Sequence, residues 1–345
     1  MAKLRKRGEQ IRQFILDNVE HHPKDVSTLV SNAFGITRQA ANKHIQQLVN
    51  QKSLLARGTT RNRRYILHPL DEWEKIFSLD GNLEEDLVWS DHIFPRLNQL
   101  PDNVRDIWMY GFTEMLNNAI DHSSGTHVNI NLEKTATNTK IIIYDNGEGI
   151  FKKIQREMQL SDEKHAILEL SKGKLTTDPK NHTGEGIFFS SRAFDVYKIF
   201  SGSVVFSHTH AEVEDWIMDS QKSQAGTAVY MKLENNTSRT LKSVFDEFST
   251  DENYGFTKTV VPVRLAQYGD EKLISRSQAK RVLARIDRFK VVIFDFDGIE
   301  IIGQAFADEI FRVFKNHHRE IQILHMRATK EVEQMITRAQ SRIES

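Results

Sequence analysis

The segment EMLNNAIDH at residues 114–122 lies within an apolar pattern that predicts a helix over residues 102–122. Glu114 and Asn118 are four residues apart, so a helix places both side chains on one face. On that face, the carbonyl oxygen of Asn118 can coordinate a hard cation. The carboxylate of Glu114 can orient and deprotonate a water molecule or a hydroxyl group. The segment therefore predicts a reactive site that is built on one helix.

The neighbouring segments predict the elements around this helix. Upstream, an apolar spacing that ends before Pro101 predicts an amphipathic helix over residues 83–100. Downstream, strands are predicted at residues 128–132 and 140–144. The residues expected to face inward on the upstream helix are Leu83, Leu87, Phe94, Leu97 and Leu100.

Three glycine-containing segments follow, namely DNGEG at 145–149, HTGEG at 182–186, and Gly226-Thr227. Asp145 stands at the end of a predicted strand, where its carboxylate can accept a hydrogen bond from an exocyclic amine such as that of adenine. Glycines let the backbone pass close to a ring, and at a helix N-terminus they expose N–H groups to an anion. No G-x-x-x-x-G-K-[ST] pattern occurs in the sequence. The motifs therefore predict a nucleotide site without a P-loop.

In this order and spacing, the four segments resemble the GHKL ATPase superfamily, which includes gyrase B, the histidine kinases and the anti-sigma-factor serine kinases. The resemblance covers about residues 83–233 and implies a Bergerat α/β sandwich, a mixed sheet with helices on one face, over residues 71–240. It implies that ATP and Mg²⁺ are the cofactors, that Asn118 holds the Mg²⁺ and that Glu114 is the general base. It further implies a cofactor-binding set of Asn118, Asp145, Gly147, Gly149, Thr183, Gly184, Gly186 and Thr227.

More than thirty residues separate Gly149 from Gly184, and residues 150–183 occupy the position of the ATP lid in that superfamily. Residues 161–170 combine a cap, an acidic first turn and an apolar stripe, which predicts a helix within the lid. A lysine cluster follows, in which Lys174 is the predicted contact to the γ-phosphate and the other lysines are mostly expected in solvent. A lid of this length predicts a moving element.

The N-terminal segment is basic, although the whole chain has a formal net charge of zero. Residues 1–68 contain 13 Lys and Arg and 4 Asp and Glu, which is a net charge of +9 that suggests a polyanionic partner. Helices are predicted at residues 8–21, 25–33 and 38–51, followed by a β-hairpin over residues 54–67 with a basic tip. A solvated basic face is the alternative.

Three helices followed by a two-stranded ribbon resemble a winged helix-turn-helix domain over residues 1–70, which implies binding to double-stranded DNA. A winged helix that makes only protein contacts is the alternative. Binding as a homodimer is expected, because one module buries little surface. The candidate DNA-binding residues are Arg38, Gln39, Asn42 and Lys43 on the third helix and Arg61, Arg63 and Arg64 in the hairpin.

Residues 250–345 are predicted to form a small α/β unit, because strands at 259–264, 291–296 and 321–326 alternate with helices at 277–287, 306–314 and 329–342. The run over residues 291–309 resembles the STAS domain of anti-sigma-factor antagonists, which implies a protein partner for this unit. That family carries an aspartate and a phosphorylatable serine where this chain has Gly303 and Gln304. Phosphorylation of this place in cis is therefore not expected. A generic α/β interaction module is the alternative.

Composition supports a cytoplasmic α+β multidomain protein. The chain has no cysteine, no apolar run long enough for a membrane span and no secretory signal pattern. The combined motifs predict an ATP-dependent DNA-binding transcriptional regulator, in which ATP binding and slow hydrolysis switch the DNA reader. Two alternatives stay open: an anti-sigma-type serine/threonine protein kinase that acts on a partner in trans, and an ATPase switch of a defence or mobile-element system. No histidine stands in a phosphoacceptor motif, which argues against a sensor histidine kinase.

Overall fold

The computed structural model describes residues 2–59, 62–175, 184–210, 215–249, 255–267 and 271–341. Its helices and strands confirm the predicted α+β class, with parallel pairing in one sheet and antiparallel pairing in another. The helices in chain order are α1 (Ala2–Asn18), α2 (Val26–Phe34), α3 (Arg38–Asn50), α4 (Glu85–Val88), α5 (Phe94–Leu97), α6 (Asp102–His122), α7 (Ile150–Glu157), α8 (Glu163–Lys172), α9 (Gly186–Ala193), α10 (Leu241–Glu247), α11 (Arg276–Leu283), α12 (Gln304–Asp308), α13 (Lys315–His317) and α14 (Lys330–Gln340). The strands are β1 (Leu54–Arg57), β2 (Arg64–Leu67), β3 (Asp71–Ser78), β4 (His127–Lys134), β5 (Asn138–Asp145), β6 (Val196–Thr209), β7 (Asp215–Glu234), β8 (Lys258–Pro262), β9 (Val291–Asp295) and β10 (Gln322–Met326).

The chain divides into two compact units. The first unit combines Met1–Lys75 with Ile130–Ile141 and Lys232–Thr237. The second unit combines Ile76–Asn129, Ile142–Met231 and Ser238–Ser345. The division into domains at residues 1–70, 71–240 and 250–345 stays a prediction.

The first unit contains a small apolar core formed by α1, α2, α3 and the β1–β2 hairpin. Gly35 ends α2 in the left-handed region at φ 61°, and the Thr37 hydroxyl caps α3 by accepting a hydrogen bond from the Ala40 N–H (3.2 Å). The two strands pair antiparallel, with Leu54 opposite Leu67. The predicted helices and hairpin are confirmed as elements, although α1 ends at Asn18, before Pro23.

Glu20 joins this core to other segments of the first unit. The Lys232 ammonium group donates to Glu20 Oε2 (2.5 Å), and the Asn138 amide donates to the same oxygen (3.4 Å). Lys140 lies 3.6 Å from the other carboxylate oxygen. Burial acts to raise the pKa of Glu20, but the two lysines outweigh it and hold that pKa below its ordinary value.

Five strands form one sheet in the order β3-β4-β5-β7-β6. The predicted strands at residues 128–132 and 140–144 are confirmed as parts of β4 and β5. Strands β5 and β7 are neighbours, although some seventy residues of chain lie between them. This order matters for the site, because Asp145 ends β5 and Thr227 lies on β7.

The helix predicted over residues 83–100 is helical over residues 85–97, and its expected inner face is only partly correct. Leu97 is buried as predicted, whereas Leu87 and Phe94 are exposed, at 52% and 41%. A π-helical turn at Trp89–Ile93 connects α4 to α5 and breaks the 3.6-residue period between Leu87 and Phe94. The buried residues of this segment are Val88, Trp89, Ile93 and Leu97.

The C-terminal part of the second unit contains a three-stranded sheet in the order β10-β9-β8, with both pairs parallel. The predicted strands and helices of this region are confirmed, with 3₁₀ turns at Val263–Ala266 and Ile286–Arg288 and a π-helical turn at Glu309–Phe314. A capping box between Ser275 and Gln278 begins α11. The central strand β9 buries Val292 and Phe294 in the core of this part.

Candidate functional site

The four sequence motifs meet around one cavity of about 270 Å³ in the second unit. They come from α6, the end of β5, the start of α9 and the middle of β7, which are far apart in the chain. The predicted site residues that line the cavity are Glu114, Asn118, Asp145, Gly149, Gly184, Gly186 and Thr227.

Helix α6 presents Glu114 and Asn118 to the cavity, while its other face is held in the core by Trp108 and Phe112, both fully buried. The Asn118 amide lies 3.9 Å from the Met115 sulfur, which in turn accepts a hydrogen bond from the Tyr197 hydroxyl (2.9 Å). Burial and the nearby charge of Glu114 raise the pKa of Tyr197. The tyrosine therefore stays neutral beside the glutamate carboxylate.

Asp145 is buried, and its Oδ1 accepts hydrogen bonds from the backbone N–H groups of Gly147 (2.9 Å) and Thr227 (3.3 Å). The Thr227 hydroxyl oxygen accepts from the Ile150 N–H (3.0 Å), which ties β7 to the start of α7. Burial raises the pKa of Asp145, although these hydrogen bonds act in the opposite direction. The carboxylate is thus fixed in orientation at the junction of β5, β7 and α7.

At several positions in and around this cavity, any side chain larger than that of glycine would collide with a neighbouring atom. A methyl group at Gly186 would collide with Glu114 Oε2, and one at Gly147 would collide with the Ser123 carbonyl oxygen. Gly226, at φ +72°, would place a methyl group against the Asp145 carbonyl oxygen. Gly147 does not line the cavity, and it acts through its N–H group on Asp145.

Sequence reasoning missed part of the wall. Lys153 lines the cavity, and its ammonium group donates to the His122 carbonyl oxygen at the end of α6 (2.9 Å). The sequence could have indicated this residue, because Lys153 follows Gly149 by four residues and lies on the first turn of α7. The apolar wall includes Ile143, Ile150, Ile154, Ile199 and Val229.

Lys174 and Thr183 were also predicted to contact the cofactor. Thr183 lies outside the described residues. The Lys174 ammonium group donates to the Arg288 carbonyl oxygen (3.1 Å) and lies 4.8 Å from the centre of the Phe289 ring. It therefore contacts the C-terminal part of the unit, and it is not among the residues that line the cavity.

The expectation that lysines after the lid helix lie in solvent is wrong for Lys172, whose side chain is 1% exposed. The buried carboxylate of Glu169 accepts a hydrogen bond from its ammonium group (2.6 Å), which explains how a charge is retained there. The helix predicted within residues 161–170 is confirmed as α8, with Asp162 as its cap, while its role as a lid stays a prediction.

In the first unit, the predicted DNA-binding residues of the described chain are all exposed. One row of four lies on the outer face of α3, opposite the buried Ala41, Ile45 and Leu48. The hairpin contributes Arg63 just before β2 and Arg64 opposite Arg57. Arg61 lies outside the described residues. The residues on α3 are Arg38, Gln39, Asn42 and Lys43.

The polar side chains that line the cavity include two carboxylates and one amide, from Glu114, Asp145 and Asn118. Across the described residues, no group of three or more histidine, aspartate and glutamate side chains is arranged to hold a metal ion. Asn118 supplies one amide oxygen, so a cation there needs further oxygens such as those of phosphates. None of the described helices combines the length and apolar character that crossing a bilayer requires.

Comparison with known proteins informs the C-terminal part of the chain. No curated protein matches the sequence. A family model described as a STAS-like domain of unknown function (DUF4325) matches residues 278–333. This range runs from α11 to the start of α14 and includes the central strand β9. The predicted STAS-like character is therefore confirmed for residues 278–333.

Proposed function

We propose that this chain is an ATP-dependent DNA-binding transcriptional regulator with a GHKL-type nucleotide site. The observation that carries the proposal is the convergence of seven motif residues from four distant segments on one cavity. Glycines, an acid and an amide on one helix, and a buried aspartate at the end of β5 all line this cavity. This combination matches the parts that ATP needs: a base contact, a cation ligand and a phosphate cradle.

The buried carboxylate of Asp145 would recognise the adenine base. Its Oδ1 already accepts two backbone hydrogen bonds, which hold the group in one orientation for an exocyclic amine. Apolar side chains such as Ile143 and Val229 line the same cavity and suit the faces of a ring. The start of α9 at Gly186, which also lines the cavity, offers backbone N–H groups to phosphate oxygens.

When bound, ATP with Mg²⁺ supplies the phosphoanhydride bond and the charge that must be stabilised. Asn118 would hold the cation through its amide oxygen. Glu114 would orient an attacking water and accept its proton at a carboxylate oxygen. Lys153, on the first turn of α7, adds a positive charge to the same wall. Slow hydrolysis suits a switch, because the bound state then persists long enough to be read by a partner.

The first unit would read double-stranded DNA as a winged helix, in the homodimer that the size of one such module favours. Helix α3 carries exposed donors on one face, and the hairpin adds exposed arginines. Residues 1–68 hold a net charge of +9, which attracts phosphates. The STAS-like part of the second unit would supply the contact to a protein partner.

A nucleotide can switch DNA binding only if it binds one state of the protein more tightly than the other. Two strands support such a link. Strand β5 begins with Asn138, which donates to Glu20, and ends with Asp145. Strand β7 carries Thr227 and, further along, Lys232, which donates to Glu20. Each strand therefore contributes both to the cavity and to the first unit.

The test is DNA capture and footprinting with no nucleotide, with ADP and with a non-hydrolysable ATP analogue. We expect the analogue to change DNA affinity in the wild-type chain, and Asn118→Ala to abolish the change. The neighbouring Asn117→Ala is the matched control, because Asn117 does not line the cavity. Equal DNA affinity in all three nucleotide states would refute the switch.

The position of Glu114 also suits a serine/threonine kinase that acts in trans, because the same carboxylate can deprotonate a hydroxyl group of another protein. Incubation with γ-labelled ATP distinguishes the regulator from the kinase. Release of free phosphate alone supports the regulator, whereas label on a separate protein supports the kinase. Glu114→Gln should abolish either product while the chain still binds nucleotide.

A further inference from the structure

The proposed lid helix α8 and the C-terminal part of the second unit meet through a polar cluster with a buried centre, which we call the joint. Its members on the lid side are Glu169, Lys172 and Lys174, and its members on the C-terminal side are Thr259, Arg281, Ala284, Arg285 and Arg288. Glu169 and Lys172 are both 1% exposed. A charged pair at this depth is retained only where its partners are fully arranged.

On one side of the joint, lid lysines satisfy the end of α11. The Lys172 ammonium group donates to the carbonyl oxygens of Arg281 (3.0 Å) and Ala284 (3.0 Å), at the last turn and the C-cap of α11. The Lys174 ammonium group donates to the carbonyl oxygen of Arg288, at the end of the following 3₁₀ turn. Helix C-termini leave carbonyl groups without partners and favour cations.

On the other side, the C-terminal part satisfies the end of α8. The guanidinium groups of Arg285 and Arg288 donate to the Lys174 carbonyl oxygen (2.9 and 3.1 Å). The buried Thr259 hydroxyl donates to the Lys172 carbonyl oxygen (2.7 Å). Lys172 and Lys174 therefore satisfy carbonyl groups at the end of α11 and in the following 3₁₀ turn, while side chains from β8 and from residues 285 and 288 satisfy the carbonyl groups of Lys172 and Lys174.

The same short segment also reaches the nucleotide cavity. Leu170 and Leu175, which flank the lid lysines in sequence, both line the cavity. The Leu175 N–H donates to the carbonyl oxygen of Gly184, the first glycine of the phosphate cradle (3.1 Å). Phe188 lines the cavity as well and packs on Phe256 beside Lys174 (ring centres 4.6 Å apart).

We propose that the joint couples the nucleotide cavity to the STAS-like domain, so that the position of the α11 end regulates nucleotide affinity. The inference rests on the proposed ATP site. A partner that binds the STAS-like domain and shifts residues 281–288 breaks the joint and changes the wall formed by Leu170 and Leu175. Coupling is reciprocal, so nucleotide must change the stability of residues 281–288 by the same factor.

Burial makes release of the joint costly. If the end of α11 moved away, the buried Lys172 ammonium group would keep its bond to Glu169 on the same helix but lose the carbonyl groups of Arg281 and Ala284. Glu169 would in turn lose Arg285, which lies 3.6 Å from its carboxylate.

The experiment uses the full chain with three changes: Arg285→Met removes donors of the joint, Arg285→Lys keeps the charge, and Thr259→Val removes only a hydroxyl. Arg312→Met is the matched control, since Arg312 pairs with Asp308 in the same domain and has no bond to the joint. Two quantities are measured for each: the Kd for a fluorescent ATP analogue with Mg²⁺, and hydrogen exchange at residues 281–288 with and without that analogue.

We expect the analogue to slow exchange at residues 281–288 in the wild-type chain. Arg285→Met and Thr259→Val should weaken analogue binding, the former by about fivefold or more, as couplings of this kind do. Arg285→Lys should restore part of the affinity, and Arg312→Met should match the wild type. Thr259→Val keeps the test decisive should Arg285→Met fail to fold.

The outcomes separate the two proposals. If the wild-type chain binds the analogue but the joint variants bind it equally well and exchange at residues 281–288 is unchanged, the joint is refuted and the ATP site stands. If the wild-type chain does not bind the analogue, the ATP site is refuted and the coupling falls with it.

Discussion

Asp145 shows what a single buried residue contributes to recognition. Its carboxylate lies at the end of β5, where backbone N–H groups of Gly147 and Thr227 fix its direction. Burial raises its pKa above the ordinary value, so the ionised form carries a desolvation penalty in the folded state. Such a penalty at a cavity is typical of a group kept for binding rather than for stability.

Asp145→Asn should therefore weaken ATP binding without lowering the melting temperature. Loss of a hydrogen bond to a charged acceptor predicts a decrease in affinity of about 10- to 100-fold. The folded-state pKa is raised, so the carboxyl group favours folding below its unfolded pKa and loses that contribution as pH rises through the folded pKa. At pH 7 the amide should be at least as stable as the carboxylate.

Calorimetric titration with ATP and thermal melts across the acidic range check this prediction. Asp121→Asn is the control, because Asp121 is an exposed residue on α6 that does not line the cavity. It should change neither the ATP affinity nor the melting temperature. A melting temperature well below that of the wild type at pH 7 would show that the carboxylate is structural.

Gly226→Ala should lower the free energy of unfolding by more than Gly81→Ala does, although both glycines have a positive φ. Gly226 and Gly81 both have positive φ, at 72° and 87°, which disfavours alanine by about 1 kcal/mol. A methyl group added at Gly81 would have no other atom within 4 Å, whereas one added at Gly226 would collide with the Asp145 carbonyl oxygen. Denaturant unfolding of the two variants isolates the collision, and equal losses would argue against the tight β5–β7 approach.

At the scale of elements, the end of α8 contains a buried pair of oppositely charged residues, Glu169 and Lys172. Burial lowers the pKa of Lys172, and the charge of Glu169 and its hydrogen bond act against that shift. Burial acts to raise the pKa of Glu169, but His165 and Lys172 outweigh it and hold that pKa below its ordinary value. The opposite charges and the hydrogen bond of the pair thus act against the cost of its burial.

Lys172→Met should lower the free energy of unfolding by about 3–5 kcal/mol, because it leaves the Glu169 charge buried without this partner. The double change Lys172→Met with Glu169→Gln removes both charges and should cost less than the single change. Urea unfolding of the two variants and the wild type measures the difference. A double variant that is less stable than the single one would contradict a charge-based account.

Local patterns in the sequence were enough to predict most helices and strands. They were not enough to predict contacts between residues that are far apart in the chain. Thr37 and Gly35 mark the ends of α3 and α2 through their own backbone geometry, so the sequence shows them directly. Strand β3, with the sequence DEWEKIFS, is mostly exposed and rich in charge, and no alternating apolar pattern indicates it. Its pairing with β4 alone makes it a strand.

The candidate site shows the same limit. Each motif was visible because glycine spacing and the Glu114–Asn118 interval are local features. Besides Glu169, Lys172 has two partners more than a hundred residues away, at the end of α11, and these could not be read from the local pattern of lysines. The face of the helix at residues 85–97 was misjudged because a π-helical turn breaks the 3.6-residue period on which the prediction rests.

At the scale of the whole molecule, charge is divided unevenly along the chain. Residues 1–68 carry a net +9, so the remaining residues carry −9. In the proposed function, the positive charge of residues 1–68 attracts DNA phosphates, and salt screens that attraction.

DNA affinity should therefore fall steeply with salt. Lys43→Gln should reduce the slope of log affinity against log salt concentration by about one, if Lys43 contacts a phosphate. Lys75→Gln, a lysine of the first unit outside the predicted DNA-binding set, is the control and should leave the slope unchanged. Fluorescence anisotropy over a range of salt concentrations measures both slopes, and a flat dependence would contradict binding of the backbone.

The hydrogen bonds between residues 172–174 and the C-terminal part have a consequence for how this gene can change. A recombination event that attached the cavity to another tail would bring Lys172 without the carbonyl groups of Arg281 and Ala284. It would also leave the carbonyl group of Lys174 without Arg285 and Arg288. We therefore expect exchange of the tail alone to destabilise the chain.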